Sequence, residues 1–331
     1  MTSNILLDVL SSGTWGTVGP RMFEAGNLLA GYLNMKYALI THSRTSALEV
    51  LLRAMEITYG DKVITASYSD PMDSLTAAAV GAEPVFADID YNTGTISPDS
   101  VEARIKSEVN VKAVIADIIG GNPCDAAELA RICKENDILF ILNAGDGVGT
   151  MLNGIEICSY ADAVVYDLSV GGLLDIGKGG AVVTNGQNCY YSSYSYHTCG
   201  RSIGGDTTAL EFDKIIGGDF RVTEWHACLL REALEKAGET LRVRAEKVKE
   251  TDRQNQIDII DGGISSRSYV ILKDRAGDCG TQDCAVYKVM HRQPFFESGY
   301  FRKLTGRTYG YDDKGLENSI KAGNNYRWRK V

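Results

Sequence analysis

Two kinds of apolar pattern alternate along residues 37–185. Short runs rich in Val and Ile predict buried strands, and longer segments between them carry apolar residues at helical spacing. The strand-like runs are 38–41, 62–65, 84–87, 113–118, 139–142, 163–166 and 181–184. The helix-like segments are 46–55, 72–80, 98–106 preceded by Ser97 as a candidate N-cap, and 126–136 after Asp125. This alternation is typical of a mostly parallel sheet with helices on both faces.

The rest of the chain gives weaker patterns. The strands predicted at 163–166 and 181–184 are joined by a loop too short for a crossover helix, so we expect these two strands to be antiparallel. Residues 187–218 are polar, aromatic and glycine-rich, which predicts a long surface loop. Helical spacing resumes over 223–250. Two strand-like runs, 268–272 and 285–290, precede a polar tail without a clear period.

The composition is that of a globular protein with room for one large and one smaller domain. The chain has 331 residues, of which 44% are hydrophobic, and a formal net charge of -9 at pH 7. Its acidity argues against nucleic acid and membrane surfaces as partners. Its start does not resemble a signal peptide and no segment is apolar for long enough to span a bilayer, so we expect a cytoplasmic location. The eight cysteines follow no disulfide or metal-binding pattern, and we expect no metal site.

Several polar residues follow predicted strands, where open α/β sheets bind their ligands. Asn143 and Asp146 end one such strand, and a ligand-binding role and an Asx turn fit them equally. His42 is a candidate acid or base, or a hydrogen-bonded structural residue. Asp70 and Asp73 begin a predicted helix and suit a helix cap better than a metal or acid–base pair.

Six segments occur in a characteristic order and spacing. They are HSRTSALEVLLRA at 42–54, DKVITASYSD at 61–70, EPVFADID at 83–90, ILNAGD at 141–146, GGAVVTN at 179–185 and GGDFRVTEWHACLL at 217–230. Together they resemble the DegT/DnrJ/EryC1/StrS family of sugar aminotransferases. The resemblance implies a dimeric α/β protein of the fold type I aminotransferase class. Its large domain would cover residues 1–220, a connecting helix 221–250, and a small, apparently shortened C-terminal α/β domain 251–331.

The resemblance also implies a site for pyridoxal phosphate (PLP), but the residues at its positions depart from the family pattern. The family's Schiff-base lysine falls on Gly171, which has no amine. The aspartate that pairs with the pyridine nitrogen falls on Asn143, which carries no charge. The residue near the ring hydroxyl falls on Asp146, and the stacking aromatic on Asp70. Lys178, seven residues after Gly171, is the nearest substitute amine, and we interpret it as a surface lysine.

The phosphate-binding positions are altered as well. The family's small-residue motif at a helix N-terminus falls on Ser43, Arg44 and Thr45. The serine beside the phosphate falls on Tyr166. An asparagine that reaches the neighbouring subunit's cofactor falls on Asp219, whereas Arg221 matches the family. Anion binding at the helix N-terminus is still compatible with these residues.

Three hypotheses account for these replacements. The first, which we favour, is a PLP-independent or inactive homologue, working as a homodimer or as the partner subunit of an active aminotransferase paralogue in sugar or secondary-metabolite biosynthesis. The second is repurposed chemistry on a sugar or aminocyclitol, with His42, Asn143, Asp146 and Tyr166 as catalytic candidates. The third is non-covalent PLP with residual aminotransferase or dehydratase activity. Under the first hypothesis we expect no cofactor.

Overall fold

The computed structural model describes residues 2–17, 19–145, 147–203, 215–249, 256–266, 269–273, 284–285 and 287–330. The α-helices in these ranges are α1 (Thr2–Ser11), α2 (Pro20–Tyr32), α3 (Arg44–Ala54), α4 (Pro71–Ala79), α5 (Pro98–Ser107), α6 (Ala126–Glu135), α7 (Gln187–His197), α8 (Glu224–Ala227), α9 (Leu230–Lys249), α10 (Gly299–Thr305) and α11 (Glu317–Asn325). The strands are β1 (Tyr37–Thr41), β2 (Lys62–Ala66), β3 (Glu83–Ala87), β4 (Val111–Asp117), β5 (Leu139–Gly145), β6 (Met151–Leu152), β7 (Ile155–Glu156), β8 (Ala163–Asp167), β9 (Gly180–Thr184), β10 (Gly263–Ile264), β11 (Tyr269–Leu272), β12 (Cys284–Ala285) and β13 (Arg327–Lys330).

Seven of these strands form one mostly parallel sheet, in the order β1-β9-β8-β5-β4-β2-β3. β2 pairs in parallel with β3 and β4, and β4 pairs in parallel with β5. β9 is antiparallel to both β1 and β8. The seven predicted strands and the reversed direction of the last one are therefore confirmed. Residues 168–179, which connect β8 to β9, form turns and no helix, so the chain returns directly beside β8 in the opposite direction.

The four helices predicted between these strands are also confirmed, as α3 to α6. Their N-terminal caps are visible in the sequence because each requires a particular side chain. The Ser97 hydroxyl accepts a hydrogen bond from the Ser100 N–H at 3.3 Å. The Asp125 carboxylate accepts one from the Glu128 N–H at 3.1 Å. Such caps satisfy N–H groups that have no partner within the helix.

The chain divides into two compact units. The first comprises Met1–Glu56 and Asp162–Thr240, and the second comprises Ile57–Ala161 and Leu241–Val331. The division into 1–220, 221–250 and 251–331 that the sequence suggests stays a prediction. Within the described ranges, no helix combines the length and the apolar character that a bilayer crossing requires.

In the first unit, α7 corrects the prediction of a loop over residues 187–218. Residues 187–197 are helical, while 204–214 lie outside the described residues. The buried side of α7 carries Cys189, Ser193 and His197, which are spaced four residues apart. Because two of these three residues are polar, the helical period was hidden from a search for aliphatic residues. Tyr190 of α7 packs within the unit, stacked on Tyr37 at a centroid distance of 4.8 Å, whereas Tyr191 is 43% exposed.

A buried carboxylate from α8 caps the start of α2, also in the first unit. Glu224 accepts hydrogen bonds from the backbone N–H groups of Arg21 at 2.9 Å and Met22 at 3.1 Å. The N-cap residue of α2 is Gly19, which offers no side-chain cap, and a Cβ at this position would overlap Glu224. Glu224 is fully buried, so its charge is satisfied by these N–H groups and by the positive end of α2.

The second unit contains β2 to β5 and most of the C-terminal residues. Its aromatic cluster includes Phe86, Phe296 and Phe301. Asp88 accepts hydrogen bonds from the backbone N–H groups of Asn318 and Ser319 and so caps the N-terminus of α11. A carboxylate more than two hundred residues away along the chain therefore anchors this helix.

The C-terminal predictions are only partly correct. The run 268–272 is confirmed as β11, with residue 268 outside the described residues. Of the run 285–290, residue 285 lies in β12 and residue 286 lies outside the described residues. The prediction is wrong for 287–290, where no strand forms and Met290 begins a short 3-10 helix, donating its N–H to the Ser67 carbonyl at 2.7 Å. The polar tail forms α10, α11 and β13. The predicted helix over 223–250 is confirmed as α8 and α9, with a break at residues 228–229.

The Glu224 cap predicts a measurable loss of stability. Glu224→Gln removes the charge and leaves one N–H of α2 facing an amide NH2 group. Because hydrogen bonds to a charged group contribute about 1.5–3 kcal/mol, we expect the free energy of unfolding to fall by about 2 kcal/mol in chemical denaturation. The matched control is Glu24→Gln, which breaks an exposed pair with Arg231 and should change stability by less than about 1 kcal/mol. Equal effects of the two substitutions would contradict the capping role.

The half-buried Glu156 on β7 predicts a pH effect. Burial raises the pKa of its carboxyl to about 7, and its Oε2 atom is buried without a hydrogen-bond partner. The ionised form is therefore disfavoured in the folded state, so this group lowers stability as pH rises from its ordinary pKa of 4.5 to about 7. We expect Glu156→Gln to raise the free energy of unfolding by about 1–3 kcal/mol at pH 8 and to change little near pH 4.5. Exposed Glu56→Gln is the control, and a pH-independent effect of Glu156→Gln would refute this assignment.

Candidate functional site

Gly171 lies in the turn between β8 and β9, in the first unit, with a φ of 87°. Its N–H donates to Oδ2 of Asp175 at 2.9 Å, and the N–H of Gly177 donates to Oδ1 of the same carboxylate at 2.7 Å. A left-handed backbone suits glycine and costs other residues about 1–2 kcal/mol. The turn is therefore built around glycine at this position, with Asp175 as its internal hydrogen-bond acceptor.

Lys178 is exposed, at the start of the return to β9. Partial burial of His226, and to a smaller extent the charge of Lys178, lower the pKa of the His226 ring. The ring of His226 pairs through Nδ1 with the Thr223 hydroxyl at 2.7 Å. His226 is thus a hydrogen-bonded structural residue. The exposed Lys178 lies close enough for its charge to affect the His226 ring.

The N-terminus of α3 carries a chain of hydrogen bonds. Ser43 is its N-cap and accepts from the Ser46 N–H at 3.1 Å. The Ser46 hydroxyl contacts the Ser43 hydroxyl at 2.7 Å and Nε2 of His42 at 2.8 Å. The ring of His42 also stacks on Phe220. Gly180 packs so closely on the backbone of Ser43 and Arg44 that a Cβ would overlap it. The sequence predicted His42 and Ser43, but not the role of Ser46 between them.

Arg221 and Asp219 form an ion pair in the same unit. Nε of Arg221 donates to Oδ1 of Asp219 at 2.8 Å, and Nη2 donates to Oδ2 at 2.9 Å. The hydrogen bonds to Arg221 hold the pKa of Asp219 below its ordinary value. The pair is thus held as two charged groups that neutralise each other. Tyr166 on β8 is fully buried, including its hydroxyl, and Thr45 is half-buried.

The second unit holds Asn143, at the end of β5, against a buried carboxylate. Nδ2 of Asn143 donates to Oδ1 of Asp73 at 2.6 Å, and its Oδ1 accepts from the Gly145 N–H at 3.3 Å. This assignment of the amide nitrogen follows from the hydrogen bonds. Asn143 and Asp73 are both almost fully buried. Both the NH2 group and the oxygen of the Asn143 amide thus have hydrogen-bond partners within the unit.

Asp70 caps α4, as the sequence suggested. Its Oδ1 accepts from the Met72 N–H at 2.8 Å, and its own N–H donates to Asp117 at 3.2 Å. Sequence reasoning missed the contact of Asp73 with Asn143 and the presence of Asp117, because both depend on which strand ends lie side by side. The available signal was the position of Asp73 in the first turn of α4, the helix that follows β2. Asp146 lies outside the described residues.

The second unit also has a cavity of about 500 Å³. It is lined by Asn122, the end of α9 and residues of β11, together with 256–259. The candidate residues described above do not line it. Among the residues that the structure describes, no three His, Cys, Asp or Glu side chains are grouped as metal ligands.

Comparison with known proteins gives the family. Residues 2–256 match the family model described as "DegT/DnrJ/EryC1/StrS aminotransferase family". GDP-perosamine synthase of Vibrio cholerae is 29% identical over 180 residues, which are 54% of this chain and 48% of that protein. L-glutamine:2-deoxy-scyllo-inosose aminotransferase of Streptomyces fradiae is 26% identical over 251 residues, which are 72% of this chain and 58% of that protein. The chain spans about half the length of several of the relatives that it matches.

Solved structures agree on the fold. The crystal structure of 3-amino-5-hydroxybenzoic acid synthase superposes with a TM-score of 0.88 at 21% identity, covering 99% of this chain and 90% of that one. Spr1654 from Streptococcus pneumoniae, described as a putative sugar aminotransferase in its PLP form, gives a TM-score of 0.83 at 20% identity and covers 100% and 90%. The seven-stranded sheet is thus the sheet of PLP-dependent aminotransferases. With a family match that extends over residues 2–256, the chain belongs to the DegT/DnrJ/EryC1/StrS aminotransferase family.

Proposed function

We propose that this chain is a homologue of nucleotide-sugar and aminocyclitol aminotransferases that works without covalently bound PLP, as a partner subunit of an active relative. The observation that carries the proposal is Gly171. The lysine position of the family resemblance falls on a glycine with a left-handed φ, whose N–H is taken by Asp175. A turn with this geometry provides neither the amine nor the backbone conformation that a lysine prefers.

PLP needs a negative charge beside its pyridine nitrogen and free donors for its phosphate. The cofactor supplies an electron sink when its pyridine nitrogen is paired with a negative charge. In the second unit, the residue at that position is the neutral Asn143, whose NH2 group already donates to Asp73. In the first unit, the guanidinium of Arg221 is taken by Asp219, and the Ser46 N–H at the start of α3 by Ser43. These residues do not fit PLP in either unit.

A role as a partner subunit draws support from the surface of the first unit. Large apolar side chains are exposed on its N-terminal helices and on α7, namely Leu7, Leu10, Phe23 and Tyr191. We take these side chains as the candidate contact surface, since protein–protein contacts bury exposed apolar groups that lie together. Two relatives are named as a GDP-perosamine synthase and as an aminotransferase acting on 2-deoxy-scyllo-inosose. We therefore propose that the partner acts on a sugar or aminocyclitol.

The alternative of new chemistry at the old positions draws less support. Of the four catalytic candidates, Tyr166 is fully buried, and Asn143 donates a hydrogen bond to Asp73. His42 is half-buried and its Nε2 contacts Ser46, and Asp146 lies outside the described residues. A pair of a histidine and a serine alone does not define a reaction, so we keep the partner role as the conclusion.

The absence of a lysine at position 171 predicts the outcome of adding PLP. We expect the visible absorbance spectrum of PLP to stay that of the free aldehyde when purified protein is added, because no amine is placed to react with it. Spr1654, which has been described in a PLP form, is the positive control. A new absorbance band that disappears in Lys178→Met would identify Lys178 as a substitute and would overturn the proposal.

The partner role predicts association through the exposed apolar surface. A tagged copy of this chain, expressed in its own cells, should co-purify with a family member that has the lysine. Leu10→Asp places a charge on α1, at a side chain that is 48% exposed, and should reduce the recovered partner at least about tenfold. The control is Val109→Asp in the second unit, at a side chain that is 72% exposed, which should leave recovery unchanged. Isolation of this chain alone, turning over a nucleotide sugar, would contradict the proposal.

A further inference from the structure

We propose that Asp219 is a built-in competitor that prevents Arg221 from binding phosphate groups. The two N–H groups that Arg221 directs at Asp219, Nε at 2.8 Å and Nη2 at 2.9 Å, form the two-pronged arrangement that also recognises two oxygens of a phosphate. An intrachain carboxylate therefore holds the position that an anionic ligand would take. This inference concerns ligand selection in the first unit and does not depend on the partner role.

The backbone sets this pair in place. Asp219 forms an antiparallel bridge with Thr198, and Arg221 forms one with Thr41. Between them, Phe220 donates its N–H to the His197 carbonyl at 3.1 Å and accepts from the His42 N–H at 3.0 Å. Residues two apart on an extended segment direct their side chains to the same face. Asp219 and Arg221 are thus paired by their position and need little ordering of flexible side chains.

The surrounding charges favour this pair over a phosphate. The side chain of Arg221 is only 14% exposed, whereas that of Asp219 is 54% exposed. Its hydrogen bonds to Asp219 raise the pKa of Arg221, and the same bonds lower that of Asp219. Burial lowers the pKa of neighbouring His197 to about 3, so this histidine stays neutral and adds no positive charge. Because Asp219 is the more exposed partner, a phosphate would have to displace its carboxylate before it could bind the guanidinium of Arg221.

The same arrangement defines the class of ligand that this face accepts. An exposed carboxylate with free lone pairs binds hydroxyl and ammonium groups and disfavours anions. The face therefore suits uncharged or amine-bearing polyols without a phosphate at this point. Ligands that carry a phosphate against Arg221 are excluded until Asp219 is removed or displaced.

Titration with inorganic phosphate, followed by phosphorus NMR line broadening, tests this inference on the full chain. We expect wild-type protein to show no saturable binding, and Asp219→Ala to bind phosphate at least about tenfold more tightly, the affinity change that 1.4 kcal/mol gives. The matched control is Asp8→Asn, which removes another surface carboxylate from an arginine, Arg21, at 2.6 Å. It should behave as wild type. Circular dichroism confirms that each variant is folded.

A double variant, Asp219→Ala with Arg221→Met, shows whether Arg221 is the group released. The gain in phosphate binding should disappear in it. Equal phosphate affinity of wild type and Asp219→Ala would overturn the inference, and so would a gain that survives the loss of Arg221. Because inorganic phosphate has no aldehyde, neither result depends on whether the chain reacts with PLP, and the two proposals can fail separately.

Discussion

The hydrogen bonds that Asp175 accepts from Gly171 and Gly177 are the constraint on which this account depends. They close the turn between β8 and β9 around a left-handed glycine, which our proposal equates with the lysine position of the family. A turn closed in this way has no side chain to offer and disfavours any residue with a Cβ. The chain has the sheet of PLP-dependent aminotransferases, and under our proposal it works without a lysine at this turn.

Each unit also satisfies its own charges at the remaining positions. In the second unit, a neutral amide at Asn143 donates to the buried Asp73, so the carboxylate has a partner within the fold. In the first unit, Asp219 holds Arg221. Buried or half-buried charges are costly without partners, and here these partners come from the chain itself. Asn143 and Arg221 thus share one physical property, since the polar groups of both side chains have hydrogen-bond partners within the chain.

Much of the fold could be predicted from the sequence, because its signals are local. The seven strands are predicted by their apolar runs, and the helix starts by the capping side chains of Ser97 and Asp125. The antiparallel last strand follows from the length of one loop. Helix α7 could not be predicted, because Ser193 and His197 on its buried side are polar. Helix α11 was missed for another reason, since its N-terminus is capped by the distant Asp88.

The candidate residues were predicted through the resemblance, but their contacts were not. The pairing of Asn143 with Asp73, and the place of Ser46 between His42 and Ser43, depend on which strand ends and helix starts are neighbours. The sequence alone does not give these distances.

The most direct test of the central claim is the intact mass of the protein purified from its own cells and reduced with borohydride. The account predicts the mass of the unmodified chain, because position 171 has no amine and the turn is closed by Asp175. An added pyridoxyl group on any lysine would contradict it.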